Sequence, residues 1–132
     1  MERIFVDTGG WYALADANDP NHLAAVRFMT SNTLPLVTTS YVLDEALTLI
    51  KSRLGYGQAV HVGDSVRTSQ LCMLVHVTPD DEDEAWAAFK QYHDKAWSFT
   101  DCTSLVVMQR IGIDMAFAFD EHFAQMGFSC EP

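Results

Sequence analysis

Short apolar runs of strand type alternate with longer segments of helical spacing along nearly the whole chain, and this alternation restricts the fold more than any other feature. Ile4-Phe5-Val6 is the first run, Leu36-Val37-Thr38 the second and Leu71 to Val77 the third. Met115-Ala116-Phe117-Ala118-Phe119 is the fourth and ends at Asp120; Phe128-Ser129-Cys130 reads as a last edge strand. Between them, Gly9-Gly10 marks a turn before a helix from Trp11 to Ala15, and Asp19-Pro20-Asn21 starts a second from His22 to Met29. Tyr41 to Leu54 carries an apolar stripe at helical spacing, Gln58 to Gln70 a weaker one, and Pro79 opens a helix through about Tyr92. Asp101 to Arg110 is helical and stops near Gly112, and Glu121 to Met126 makes about one turn. Such a pattern predicts an α/β fold, a three-layer α/β/α sandwich on a mainly parallel central sheet of four to five short strands. With 132 residues and no internal repeat or linker, residues 1–132 read as a single domain.

Composition narrows the function. Hydrophobic residues are 48% and charged residues 20% of the chain, ordinary globular usage, and no apolar stretch approaches the roughly 18 residues of a membrane span. An acid at Asp7 interrupts the opening apolar run where a secretory signal would continue, so a cytoplasmic location is expected. Cys72, Cys102 and Cys130 lack the spacing of a zinc site or a disulfide framework and are expected to be reduced and mostly buried. A formal charge of -10 repels a polyanion, which argues against plain nucleic-acid binding. It does not argue against a nuclease whose acids hold divalent metal, because the ion supplies the positive charge that meets the phosphate.

Four acids fall at one rim of the expected fold. In a parallel sheet, ligands bind outside the carboxyl ends of the strands, where the following helices begin. Asp7 ends the first strand and Asp120 the fourth. Asp101 starts the helix that precedes the fourth strand, and Glu45 lies in the first turns of the helix after the second. Taken singly, Asp101 is an ordinary N-cap, Asp7 and Asp120 are loop-starting Asx residues, and Glu45 borders the apolar arc of its helix. Together they repel one another and raise their own pKa values unless a cation neutralises them. All-oxygen ligands suit Mg²⁺ or Mn²⁺, and neither His nor Cys joins the cluster in sequence. Such ions support phosphodiester hydrolysis, with Asp7 and Asp101 as the principal ligands and Asp120 and Glu45 completing the shell directly or through water.

At these residues the chain resembles the PIN-domain family, and within it the VapC-type toxins of bacterial toxin-antitoxin pairs. Ile4-Phe5-Val6-Asp7-Thr8 is similar to the family's opening strand and first acid, and Thr39-Ser40-Tyr41-Val42-Leu43-Asp44-Glu45 to its second motif, with Glu45 the acid carried over. Ser98-Phe99-Thr100-Asp101 is similar to the third motif, and Ala118-Phe119-Asp120-Glu121-His122-Phe123 to the fourth. The resemblance covers essentially the whole length. It implies a Mg²⁺- or Mn²⁺-dependent endoribonuclease acting on RNA, a homodimer, and inhibition by a cognate VapB-like antitoxin. Thr8, Ser98 and Thr100 match hydroxyl positions that support the acids or a bound water.

Other features have plainer readings. The run Asp80 to Glu84 lacks the glycine and alternating ligands of a calcium loop and reads as a solvated helix start. His22, His61, His76, His93 and His122 form no HxxxH pair; His122 stands out because it follows Asp120 by two residues. Trp11, Trp86 and Trp97 read as core or dimer packing, with Trp11 and Trp97 the better candidates for stacking on bases because they flank acidic motifs. The cations Arg3, Arg27, Lys51, Arg53 and Arg67 are scattered and form no patch in sequence.

Two other functions are set against the nuclease. An Asp-based phosphotransferase would need partners that Asp7-Thr8-Gly9 and the late strands lack. A catalytically silent PIN-like interaction module would use the same acids to bind a partner's arginines, and activity separates the two. An antitoxin carrying arginine into this pocket would displace the metal.

Overall fold

The computed structural model describes residues 2–132. Five strands form one parallel sheet in the order β3-β2-β1-β4-β5, with β1 Ile4–Val6, β2 Leu36–Thr39, β3 Cys72–Val75, β4 Met115–Phe117 and β5 Ser129–Glu131. Among the described residues seven helices connect them: α1 Thr8–Ala15, α2 His22–Ser31, α3 Ser40–Leu54, α4 Tyr56–Thr68, α5 Pro79–Gln91, α6 Phe99–Ile111 and α7 His122–Gln125. All three residues of β1 are fully buried. Because successive strand residues point to opposite faces, complete burial means that both faces of the sheet are covered, as the sandwich expectation requires.

The core follows from this arrangement. Ile4, Phe5, Val6 and Val37 meet Ala116 and Phe117 in one buried cluster, with Phe5 against Phe123 of α7 and Phe117 stacked on Phe28 of α2. A second cluster, Ala85, Trp97, Cys102, Leu105 and Val106, joins α5 to α6. The three cysteines form no disulfide among the described residues, with Cys72 and Cys102 buried and Cys130 half-buried.

Several elements differ from the sequence reading. Gly9-Gly10 is not a turn, because α1 begins directly after Asp7. The glycine is demanded by packing: a Cβ on Gly10 would lie 2.5 Å from the Phe117 ring and 2.8 Å from its carbonyl oxygen, whereas Gly9 faces open space. Strand β4 stops at Phe117, so Asp120 lies three residues beyond the pairing rather than at its end. Strand β3 is shorter than Leu71 to Val77, and α4 begins at Tyr56 rather than Gln58.

The acidic helix start is not wholly solvated. Asp81 is only 3% exposed, and it closes a capping box in which Thr78 Oγ1 accepts from the Asp81 N–H at 3.1 Å while Asp81 Oδ2 accepts from the Thr78 N–H at 3.0 Å. Arg110 of α6 then donates to both carboxylate oxygens, at 2.9 and 2.8 Å. The fork ties the start of α5 to the end of α6. Trp11 and Trp97 are likewise buried, their indole N–H groups donating to Thr38 Oγ1 at 3.1 Å and Gln125 Oε1 at 2.8 Å. Both are committed to packing, and Trp86, 53% exposed, is the tryptophan that faces outward.

Candidate active site

Strand order reverses at β1: the chain moves outward through β2 and β3 on one side, then returns to place β4 and β5 on the other. A crevice forms at such a reversal, outside the carboxyl ends of the two adjacent strands. Asp7 is the first residue beyond β1, its N–H donating to the Phe117 carbonyl of β4 at 3.2 Å. It is the N-cap residue of α1 by backbone conformation, yet its side chain makes no capping hydrogen bond. The carboxylate is therefore not spent on capping the helix, although the residue is 4% exposed.

Asp101 arrives from α6. It is not the N-cap, as the sequence allowed, but the third residue of a capping box headed by Ser98: Ser98 Oγ accepts from the Asp101 N–H at 3.0 Å, and Asp101 Oδ2 accepts from the Ser98 N–H at 2.9 Å. The same Oδ2 accepts from His122 Nδ1 at 2.8 Å. One oxygen of Asp101 thus fixes the side chain, and the other has no hydrogen-bond partner among the described residues.

Asp120 is tied to the same histidine. Its Oδ1 accepts the His122 N–H at 3.0 Å, an Asx turn, and its Oδ2 lies 3.6 Å from His122 Nδ1. His122 was the ligand-type side chain that the sequence left outside the cluster. Its short spacing to Asp120 was the available signal, but its partner Asp101 stands 21 positions away. Glu45 lies half-buried on α3, whose start is held by Thr39 Oγ1 accepting from the Val42 N–H at 3.1 Å.

Electrostatics join the four acids. Burial raises the Asp7 pKa to about 7; the charge of Asp101 adds to this, the Thr8 N–H opposes it, and Asp120 and Glu45 push it up further. A carboxylic acid half-neutral near pH 7 and surrounded by other carboxylates is a site that gains by binding a cation. Thr8 adds a second sign of an incomplete site: its hydroxyl is buried without a hydrogen-bond partner among the described residues. Even so, among the described residues no three His, Cys, Asp or Glu side chains are gathered closely enough to enclose an ion by themselves.

Beside the acids opens a cleft of about 560 Å³ lined by Thr8, Glu45 and Thr100 together with the outer face of α3. Of the scattered cations, Lys51 and Arg67 line a separate groove between α3 and α4. No helix among the described residues is long and apolar enough to cross a membrane.

The sequence matches the PIN domain family over residues 4–129. The chain belongs to the PIN-domain family. It is 39% identical over 125 residues to the 23S rRNA-specific endonuclease VapC20 of Mycobacterium tuberculosis, in two strains, covering 95% of both proteins. The crystal structure of Mycobacterium tuberculosis VapC20, described as a sarcin-ricin loop cleaving toxin, superposes with a TM-score of 0.90 at 38% identity over 95% of each chain. The crystal structure of FitAcB from Neisseria gonorrhoeae has a TM-score of 0.69 at 13% identity, over 98% of this chain and 96% of that one, a likeness of fold. The α/β fold and the family read from the sequence are both borne out.

Proposed function

We propose that this chain is the ribonuclease toxin of a toxin-antitoxin pair, a single nuclease domain that cuts 23S rRNA in the cytoplasm with a Mg²⁺ or Mn²⁺ ion held by Asp7 and Asp101. The buried Asp7 carboxyl, its pKa raised to about 7 with help from three other acids, carries the metal part of this reading. The 39% identity to relatives named as 23S rRNA-specific endonucleases supports the choice of RNA.

The residues present fit a hard divalent ion, since the uncommitted donors are carboxylate oxygens and the hydroxyl of Thr8. Mg²⁺ keeps several of its waters and needs only one or two carboxylates, which suits acids that do not close a cage by themselves. When bound, the ion supplies positive charge to the phosphate and makes an attacking water more acidic. Asp7 and Asp101 hold the ion, and Glu45 and Asp120 complete its surroundings directly or through water. His122 fixes the Asp101 carboxylate by the 2.8 Å hydrogen bond, and the Ser98 backbone N–H donates to the same oxygen at 2.9 Å. Thr8 and Thr100 border the cleft where RNA enters and orient water there. A homodimer and a VapB-like antitoxin that places a basic segment against these acids complete the assembly.

The test is cleavage of ribosomal RNA, and of an isolated sarcin-ricin hairpin, with Mn²⁺ or Mg²⁺ and with chelator. One dominant cut that vanishes in chelator is expected. Cleavage unchanged by chelator, or none with either ion, would overturn the proposal.

A further inference from the structure

The cleft beside the acids extends past the residues assigned to the ion. One wall is a face of α3 on which Asp44, Thr48 and Ser52 recur every fourth residue, with Leu49 next to them. Ala46 and Ile50, on the buried side of the same helix, are fully enclosed, so the wall is carried on a rigid element. Neither Lys nor Arg lines the cleft. At its edge stands Thr8, 7% exposed, its buried hydroxyl without a hydrogen-bond partner among the described residues.

We propose that this cleft is a nucleoside subsite that seats one unstacked guanine of the RNA next to the phosphate being cut. The proposal rests on the ribonuclease reading and adds a base preference to it. Away from the ion, a wall bearing Asp44 and neither Lys nor Arg repels phosphate, so the neutral base and ribose are the parts of RNA that fit there. Ionised carboxylates only accept hydrogen bonds. Guanine alone among the four bases presents two adjacent N–H donors on its Watson–Crick edge, and these match the two oxygens of Asp44 as an arginine fork would. Splayed-out bases in RNA loops are read on that edge. Leu49 offers apolar surface to the base, while the Thr48 and Ser52 hydroxyls can donate to its carbonyl or bond the ribose. The volume of about 560 Å³ accommodates a nucleoside.

The experiment uses the full chain with Mn²⁺ and a pool of sarcin-ricin hairpins randomised in the loop around the cut, with cut ends sequenced. Wild type should enrich guanine about tenfold at one position within about two nucleotides of the cut, the scale of one bidentate base contact. Asp44→Asn, which exchanges an acceptor for a donor, should erase that enrichment. The pair Thr48→Val with Ser52→Ala should raise KM several-fold, more for guanine-containing substrates than for others. Melting curves and residual cleavage of the pool establish that each variant is folded. Absence of metal-dependent cleavage by wild type would overturn the ribonuclease reading itself. Cleavage by wild type with a base profile that Asp44→Asn and the double variant leave unchanged would overturn the subsite alone.

Discussion

His122 Nδ1 lies 2.8 Å from Asp101 Oδ2, the oxygen that also accepts the Ser98 backbone N–H at 2.9 Å. Asp101 is thereby fixed from two segments of the chain, and its remaining oxygen has no hydrogen-bond partner among the described residues. Partners that orient a metal ligand are commonly worth 10- to 100-fold in affinity or activity. His122→Ala should lower metal-dependent RNA cleavage by about that factor and raise the Mn²⁺ concentration needed for half-maximal rate. A metal titration of cleavage rate measures both. An unchanged metal requirement would show that His122 only packs.

The Asp7 carboxyl has the opposite relation to stability. Its folded pKa of about 7 lies above the unfolded value, so the folded chain binds more protons between about pH 4 and pH 7. Its contribution to stability therefore falls as pH rises through that window and is at its most unfavourable above about pH 7. In chelator at pH 8, Asp7→Asn should melt higher than wild type by several degrees, and the difference should narrow at pH 5. Adding Mn²⁺ at pH 8 should raise the melting temperature of wild type but not of the variant. Thermal denaturation across pH, with and without the ion, checks each part.

Two adjacent glycines should respond in opposite directions to the same substitution. Gly9→Ala adds a methyl group in open space within α1 and should stabilise by about 0.5–1 kcal/mol. Gly10→Ala drives a Cβ into the ring and carbonyl of Phe117, and should destabilise by about 1–3 kcal/mol. Denaturant titration of both variants separates helix propensity from packing.

Asp81 is held below the usual carboxylate range: burial opposes its charge, but the Arg110 guanidinium and the Thr78 cap outweigh that opposition. Its contribution is thus complete above the unfolded pKa of about 4 and disappears as pH falls through the lower folded value. Since the Arg110 side chain is 44% exposed, Arg110→Ala should cost only about 1 kcal/mol at pH 7, and less at pH 3. Urea melts at the two pH values measure the difference.

What could be read from the sequence was whatever depends on local pattern. Apolar runs fixed the strands, and an acid closing the run at Asp7 marked the rim, because strand period and turn chemistry are properties of neighbouring residues. Gly9-Gly10 was misread because a glycine pair normally punctuates, and its actual reason, the close approach of Phe117, comes from a strand more than a hundred positions away. Asp81 was lost in a run of acids for the same cause, since Arg110 stands 29 positions away. His122 was left out of the site because its hydrogen bond to Asp101 exists only once α6 and α7 are brought together. Trp11 and Trp97 flank the acidic motifs in sequence but turn inward, a choice of side that short apolar segments do not specify.

The central claim is that Asp7 and Asp101 hold an ion that cuts RNA. Cleavage of a total-RNA pool with Mg²⁺ or Mn²⁺ should be compared for wild type, Asp7→Asn and Asp101→Asn, each variant being isosteric and able to keep most of its hydrogen bonds. Loss of metal-dependent cuts by at least about 100-fold in both folded variants is the expected result. Metal-dependent cuts that survive both substitutions would contradict it.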